Sequence, residues 1–543
     1  MRLKYLTYTT ALASVVLFAA CEEMDTMPEG STVTEQQKLD IKEQDPSKSE
    51  ASVSGAFMSF STFMPNEESV GSDAHNDFGY PSIMLFTDCD GEDVVSTLTG
   101  YNWFSHSIRY TNRSVSSYIA QITWQDLYSY IFAANGIFSG ADLESEDPTV
   151  QYTLANGYAL RAFAYFQLAQ LFQFNIVGHE DSPCVPIITE KNANDYLVNG
   201  AKRATVQEVY DLIYSDIDNA IELLSVCGVE PADKRYVGLD VAYGLRARIN
   251  LVCQKWDAAL ADAESAIENS AATPASIEEV SGPTFSSVNE SNWMWGIIIN
   301  ETDDVVSSGI VNWISHIGSL NYGYANYSKG MRISSKLYHS IAESDIRKGW
   351  WLNDTCYSAN LNARQASYMK KYSYRAYTNV KFGPYNDVVG TATNANDIPL
   401  MRIEEMYLIK AEAELMSGKG DALATLTDFV KTYRDPEYSF TEGDLDLHQE
   451  IWRQRRIEFW GEGISWFDVM RLGTGIDRRN AGFESVYAFV IAGTDTKLLY
   501  PIPESEVQAN PALSEADYNP TSPTPTAAPE SGEEDLSTET INL

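Results

Sequence analysis

The sequence predicts a mostly α-helical protein, in which paired helices form a scaffold around a large, irregular, loop-rich segment. Three observations predict it. Apolar residues recur at three- and four-residue spacing through several long stretches. Those stretches come in twos, broken by short polar or glycine turns. Between about residues 271 and 399 the texture changes to Gly, Ser, Asn, Tyr and Trp, without long helical patterns.

The chain opens with Arg2 and Lys4, then an apolar or small stretch from Leu6 to Ala20. That stretch is short for a bilayer span, so residues 1–20 read as a signal peptide. It ends in Phe18-Ala19-Ala20-Cys21, which resembles a bacterial lipobox with Phe where Leu is commonest. Cys21 is then the lipidated N-terminus of the mature chain. Each buried acyl CH₂ contributes ~0.8 kcal/mol, and two or more chains anchor stably. Residues 21–49 are polar and read as a tether, and 50–518 as the body.

Within the body, Leu154 to Phe172 is apolar on most faces, as in a helix buried between neighbours. Val206, Val209, Tyr210, Ile213, Ile217, Ile221 and Leu224 share one helix face. Thr205 caps that helix, with Glu208 at capping-box distance. Val241 to Val252 breaks at Cys253-Gln254 before Trp256 to Ile267, and this pair spans one tetratricopeptide unit of ~34 residues. Ala247, Ala259, Ala263 and Ala266 stand where close helix packing wants small residues, whereas Arg246 and Asn250 replace expected apolar ones. Ile403 to Met416 and Asp421 to Val430 form another pair, broken at Gly418-Lys419-Gly420. His448 to Glu458 and Ser465 to Arg471 extend the array. Trp293 to Ile299 reads as a strand. Residues 519–543 are Pro, Thr, Ser and Glu without Lys or Arg, and are predicted to be a disordered acidic tail.

Charge excludes function classes. The 543 residues carry 38 Lys and Arg against 76 Asp and Glu, a net charge of −38. Such a field repels phosphate, which excludes nucleic-acid binding and an electrostatic grip on anionic lipid. With Cys21 lipidated, five of the six Cys remain and cannot all pair, so no disulfide scaffold is predicted. After the signal peptide no stretch reaches the ~18 uncharged apolar residues of a membrane helix.

Four stretches, taken together and in this order, resemble the SusD/RagB family of Bacteroidetes outer-membrane lipoproteins. They are Arg161 to Leu168 followed by Val185-Pro186, Ala204 to Ile221, Met401 to Ala413, and Arg455 to Gly463 with Trp466-Phe467-Asp468 and Arg471. Tyr500-Pro501-Ile502-Pro503, with Glu506 and Asn510-Pro511, also fits. Ser465 departs from the pattern, because the family usually has Arg before Trp-Phe-Asp. Glu22-Glu23 and Asp25 resemble the signal that sends such lipoproteins to the cell surface. The resemblance implies about four tetratricopeptide-like helix pairs with the irregular segments gathered on one ligand-binding side. It implies capture of oligosaccharide, or of peptide in some relatives, and delivery to a SusC-like TonB-dependent transporter. It implies no catalytic activity and no cofactor. Arg402, Glu404, Arg456, Glu458 and Asp468 are expected as ion pairs and caps rather than an active site.

A pyranose offers one C–H face to a flat ring and a rim of hydroxyls to amides and carboxylates. Exposed loop aromatics are therefore the candidate site. Two regions qualify: Tyr101-Asn102-Trp103-Phe104, and the stretch from Asp303 to Gly330 with Trp313, Tyr322, Tyr324 and Tyr327. The expected ligand-binding residues are Trp103, Trp313, Tyr322 and Tyr324, with Asn102 and Asn321 as hydrogen-bonding neighbours. Trp293, Trp295, Trp124, Trp256, Trp460 and Trp466 are expected in the core, with Trp350-Trp351 left open. Asp88-Cys89-Asp90-Gly91-Glu92-Asp93 reads as an acidic surface loop lacking the later glutamate of a calcium loop. The six His residues show no zinc spacing, and no metal site is expected. A glycoside hydrolase using paired carboxylates is the competing class.

Overall fold

The computed structural model describes residues 47–61, 74–96, 102–139, 141–328, 330–443, 445–520 and 524–527. The signal peptide, Cys21, most of the tether, Tyr101, the side chain of Tyr327 and the chain from residue 528 lie outside them.

Ten helices carry the architecture: α1 (Tyr80–Asp90), α2 (Tyr118–Phe138), α3 (Pro148–Phe172), α4 (Val206–Cys227), α5 (Leu239–Val252), α6 (Trp256–Asn269), α7 (Ile403–Ser417), α8 (Ala422–Tyr433), α9 (Leu447–Glu458) and α10 (Ser465–Leu472). Helix α2 packs on α3, and four pairs follow as α3/α4, α5/α6, α7/α8 and α9/α10. Helices α4 and α5, then α6 and α7, join the pairs into one array. None of the described helices is long and apolar enough to cross a membrane.

Local chemistry explains these elements. Asp147 caps α3 by accepting from the backbone N–H of Thr149 and Val150, and Pro148 occupies the first turn. The Thr205–Glu208 capping box forms at α4, whose far end stops at Gly228 in the left-handed region. Ala247, Ala259, Ala263 and Ala266 are fully buried where α5 and α6 approach. The two positions that break the repeat pattern are polar ties between helices. Arg246 donates to Asp262 and Asp218 at 2.7 Å each. Asn250 donates to Asp262 at 2.7 Å and accepts from Tyr214 at 2.8 Å.

The irregular segment begins and ends on the scaffold. Strand β1 (Trp293–Ile297) pairs antiparallel with β2 (Ile398–Arg402), placing Ile297 opposite Ile398 and Trp293 opposite Arg402. A Cβ at Gly296 would meet the Trp293 ring at 2.8 Å, so only glycine admits this approach. The segment is not loose. Leu320, Leu352, Met369, Tyr374 and Val380 form a small core of its own. Trp293, Trp295, Trp350 and Trp351 are buried, as are Trp124, Trp460 and Trp466, while Trp256 is half-buried.

A buried charge lattice ties the repeats together. Glu458 on α9 accepts from Arg402 at 3.0 Å, Arg434 at 2.8 Å and Arg347 at 3.2 Å, all without exposure. Burial pushes the Glu458 carboxyl up, but Arg434, Arg402 and Arg347 outweigh it and hold it well below the ordinary carboxylate range. Asp468 bridges Arg455 at 2.8 Å and Arg471 at 2.7 Å. Ser465, where Arg was expected, donates to Asp93 at 2.8 Å, and Arg456 supplies that carboxylate's charge partner.

Two expectations are corrected. The Asp88–Asp93 run is no surface loop. Asp88 and Asp90 end α1, and Asp88, Asp90 and Asp93 are buried. Asp90 accepts from Arg113 at 3.1 Å and Tyr500 at 2.6 Å, and Arg456 grips both Glu92 and Asp93. The partners lie far along the chain, so a local reading sees only unpaired acid. Asn519, expected to begin the tail, is buried and donates to the Phe172 and Tyr500 carbonyls at 2.8 and 2.7 Å.

Candidate functional site

Three chain segments meet on one side of α1. The first is the run from Ala74 to Gly79 before α1, and Gly79 takes a φ of 82° to start the helix. The second is the turn at Asn102-Trp103, before a short helix from Ser105 to Arg109. The third holds two short helices, Trp313–Ile317 and Tyr324–Ser328. A Cβ on Gly323 would strike the Ser315 backbone at 2.7 Å, so glycine permits the loop to fold back over the first of these helices.

Together they build a ladder of rings. Trp103 stacks on His75 with centroids 4.7 Å apart and planes 29° apart. His75 Nδ1 and the Tyr324 hydroxyl share a short hydrogen bond. Tyr324 stacks on His316 at 4.4 Å and 18°, and His316 stacks on Phe78 at 5.6 Å and 20°. Phe104 closes the inner end, edge-on to His316 at 5.0 Å. His316 Nε2 bonds the His75 carbonyl at 3.1 Å, and Asn76 donates to the Trp103 carbonyl at 2.9 Å. Burial drives the His316 imidazole down to about 3, so it stays neutral, as a stacked core ring should.

The ladder is graded in exposure. His316 and Tyr324 are each 3% exposed, whereas His75 and Trp103 are half-buried at the outer end. Tyr322, two residues before Tyr324, is 39% exposed. Its backbone is clamped: its N–H donates to Thr391 at 2.8 Å, and its carbonyl accepts from Asn394 at 3.0 Å. In the same run as His75 and Phe78, Asp77 is buried, as is Asp126 of α2, each with one oxygen that meets no donor among the described residues. Burial pushes Asp77 up to about 7, against the pull of the Gly79 N–H, and drives Asp126 well above the carboxylate range.

The expected site residues separate. Trp103 and Tyr324 share the ladder, and Tyr322 stands exposed near it in sequence. Trp313 is corrected to core: it is 1% exposed and packs edge-on against Phe382 at 4.8 Å. Asn321 is likewise interior, donating to Asn394 and Asn396 at 3.1 Å each. Asn102 spends its amide on the turn, donating to Ser96 at 2.7 Å and accepting from the Phe104 N–H at 3.0 Å. Tyr324 is 3% exposed and meets His75 through its hydroxyl and a tilted ring contact at 6.0 Å. His75 and His316 were missed, since residues 241 apart carry no spacing signal. The described residues hold no group of three His, Cys, Asp or Glu placed to bind a metal ion.

The helix-pair scaffold with its irregular segment superposes on solved structures of the SusD superfamily. A SusD-like carbohydrate binding protein from Bacteroides vulgatus superposes with a TM-score of 0.71 at 22% identity, covering 88% of this chain and 98% of that one. Surface glycan-binding protein A from Bacteroides thetaiotaomicron, in complex with laminarihexaose, superposes at 0.62 with 19% identity, covering 87% and 99%. By sequence, the SusD family matches residues 320–520, and a family described as starch-binding, associating with the outer membrane, matches residues 79–251. SusD-like protein P2 of Formosa agariphila is 25% identical over 378 residues, 65% of this chain and 71% of that protein. The chain belongs to the SusD/RagB family.

Proposed function

We propose that this chain is a surface-exposed outer-membrane lipoprotein, anchored through Cys21, that binds an oligosaccharide and passes it to a SusC-like TonB-dependent transporter. The observation that carries the reading is the ring ladder, with Trp103 and His75 at its open end and Tyr322 exposed beside it in the chain. The indole covers the C–H face of a pyranose, and the Tyr322 hydroxyl and His75 ring take rim hydroxyls. The rings behind them are locked by stacking, so the shelf is held in place before ligand arrives and little ordering entropy is lost on binding. The laminarihexaose complex of one structural neighbour supports sugar as the ligand class.

Nothing is bonded or broken in this account. The family-motif carboxylates Glu404, Glu458, Glu462 and Asp468 are sealed in arginine contacts and cannot flank a scissile bond. Ring faces rather than charged pockets or open strand edges favour sugar over peptide. The test is a panel of soluble glycans titrated into wild type and Trp103→Ala. We expect at least one glycan to bind and the variant to lose about tenfold or more in affinity. A wild type that binds no glycan, binds peptides instead, or releases new reducing ends overturns the reading.

A further inference from the structure

The irregular segment carries a cleft that shares no residue with the ring ladder. It is an open cleft of about 420 Å³ between residues 338 and 360. That size lies within the ~300–1,000 Å³ range of small-ligand sites. Trp351 lies buried at its base, and Tyr357 stands at its lip, 57% exposed.

Tyr357 is held out rather than left out. The Asn353 side chain accepts from the backbone N–H of Thr355 and Tyr357 at 3.0 Å each, and the Asn353 N–H donates to the Tyr357 carbonyl at 2.7 Å. Between them Cys356 sits at a φ of 59°, a left-handed conformation that bulky residues avoid. The turn is thus closed on itself, and its one large ring is directed outward. A ring fixed in water beside a cavity is a ready stacking platform.

The walls supply both donors and acceptors. Asp354 is exposed, and its Oδ1 accepts from Tyr377 at 2.6 Å; the same Tyr377 hydroxyl bonds His339 Nε2 at 3.1 Å. Lys348 is spoken for, donating to Glu343 at 2.7 Å and to the Ile341 carbonyl at 2.8 Å. Lys348 is paired with Glu343 and Asp345 with Arg347, so exposed Asp354 leaves the cleft with a negative balance that disfavours phosphate. Its polar walls do not suit an apolar guest either. A flat ring beside hydroxyl, amide, imidazole and carboxylate groups matches a pyranose.

We infer that the cleft beside Tyr357 is a second saccharide-binding site, independent of the Trp103 shelf. Tyr357 is the stacking platform, and Asp354 and His339 receive the sugar's rim hydroxyls. The assignment rests on the glycan-binding reading only for the choice of probes. Two sites on one chain would let a polymer rebind before it leaves, raising retention without a tighter single contact.

The experiment uses the full chain and the same soluble oligosaccharide panel, read by titration calorimetry on wild type, Tyr357→Ala, Tyr357→Phe and Trp103→Ala. Wild type should take two equivalents of a short oligosaccharide. Trp103→Ala should keep one equivalent, and Tyr357→Ala should lose that same one, with Kd rising about tenfold or more. Tyr357→Phe, which keeps the ring, should retain it. Unchanged melting temperatures would show that the surface variants fold. A single equivalent abolished by Trp103→Ala and untouched by Tyr357→Ala overturns the second site and leaves the first standing. Loss only in Tyr357→Ala would instead uphold the cleft and remove the shelf. No glycan bound by wild type, or two equivalents still bound by Tyr357→Ala, overturns the assignment.

Discussion

The scaffold and the ring face of this protein solve opposite packing problems. Around Glu458 the helices bury charge, and three arginines brought inside there meet carboxylate: Arg402, Arg434 and Arg347 converge on one side chain. Around Tyr324 the chain buries neutral rings and lets the stack run outward to half-buried His75 and Trp103. A charge lattice is directional and unforgiving, which suits parts that must not move. A ring stack is apolar on its faces and tolerant of what lies on its outermost member, which suits a surface that receives ligand. Rigidity and the proposed recognition are thus built from different chemistry in one body.

The sharpest way to break this contrast is to remove one charge of the lattice. Arg434→Met leaves Glu458 and Glu404 with fewer partners in the interior. It should cost about 3–5 kcal/mol in chemical denaturation, while folded molecules keep their glycan affinity. Loss of affinity with stability intact would show that the two regions are not separate.

The regions should also answer pH with opposite sign. Burial raises Asp77 to about 7 from an ordinary value near 3.8, so the folded protein holds a proton that the unfolded chain has released. Its contribution to stability therefore falls as pH climbs from about 4 to about 7. Asp77→Asn should gain on the order of 1–3 kcal/mol over wild type near pH 8 and little near pH 4, measured by denaturation at both values. Glu458 behaves in reverse. Its folded value is depressed by Arg434, Arg402 and Arg347 against burial, so its stabilisation is present above the ordinary carboxylate range and lost only on strong acidification.

On the ring face, Trp103→Ala should weaken glycan binding about tenfold, or about 1.4 kcal/mol, with melting hardly changed. Trp313→Ala makes the contrast within one residue type, because that buried ring should report in stability and not first in binding. Smallest is the cap: Thr205→Ala should cost about 1 kcal/mol of stability and leave affinity alone.

Legibility differed between the regions for a physical reason. Helix periodicity, the Thr205–Glu208 box and the small residues of α5 and α6 are local signals, and each stands in the structure where the sequence placed it. Arg246 and Asn250 looked like defects in a repeat until Asp262 and Tyr214 supplied their partners. On the irregular side, Trp313, Tyr322 and Tyr324 read alike, each an aromatic among Gly, Ser and Asn. Burial separates them, and burial depends on Phe382 and His75, which come from elsewhere in the chain, as well as on neighbouring His316.

By itself, then, the sequence determined that this is a helical repeat body of the SusD/RagB family, because periodicity, caps and motif order are written in neighbouring residues. Only the tertiary structure decided which aromatics face water and which acids are paired. A ring or a carboxylate takes its role from what surrounds it in space, and those surroundings are assembled from residues hundreds of positions apart.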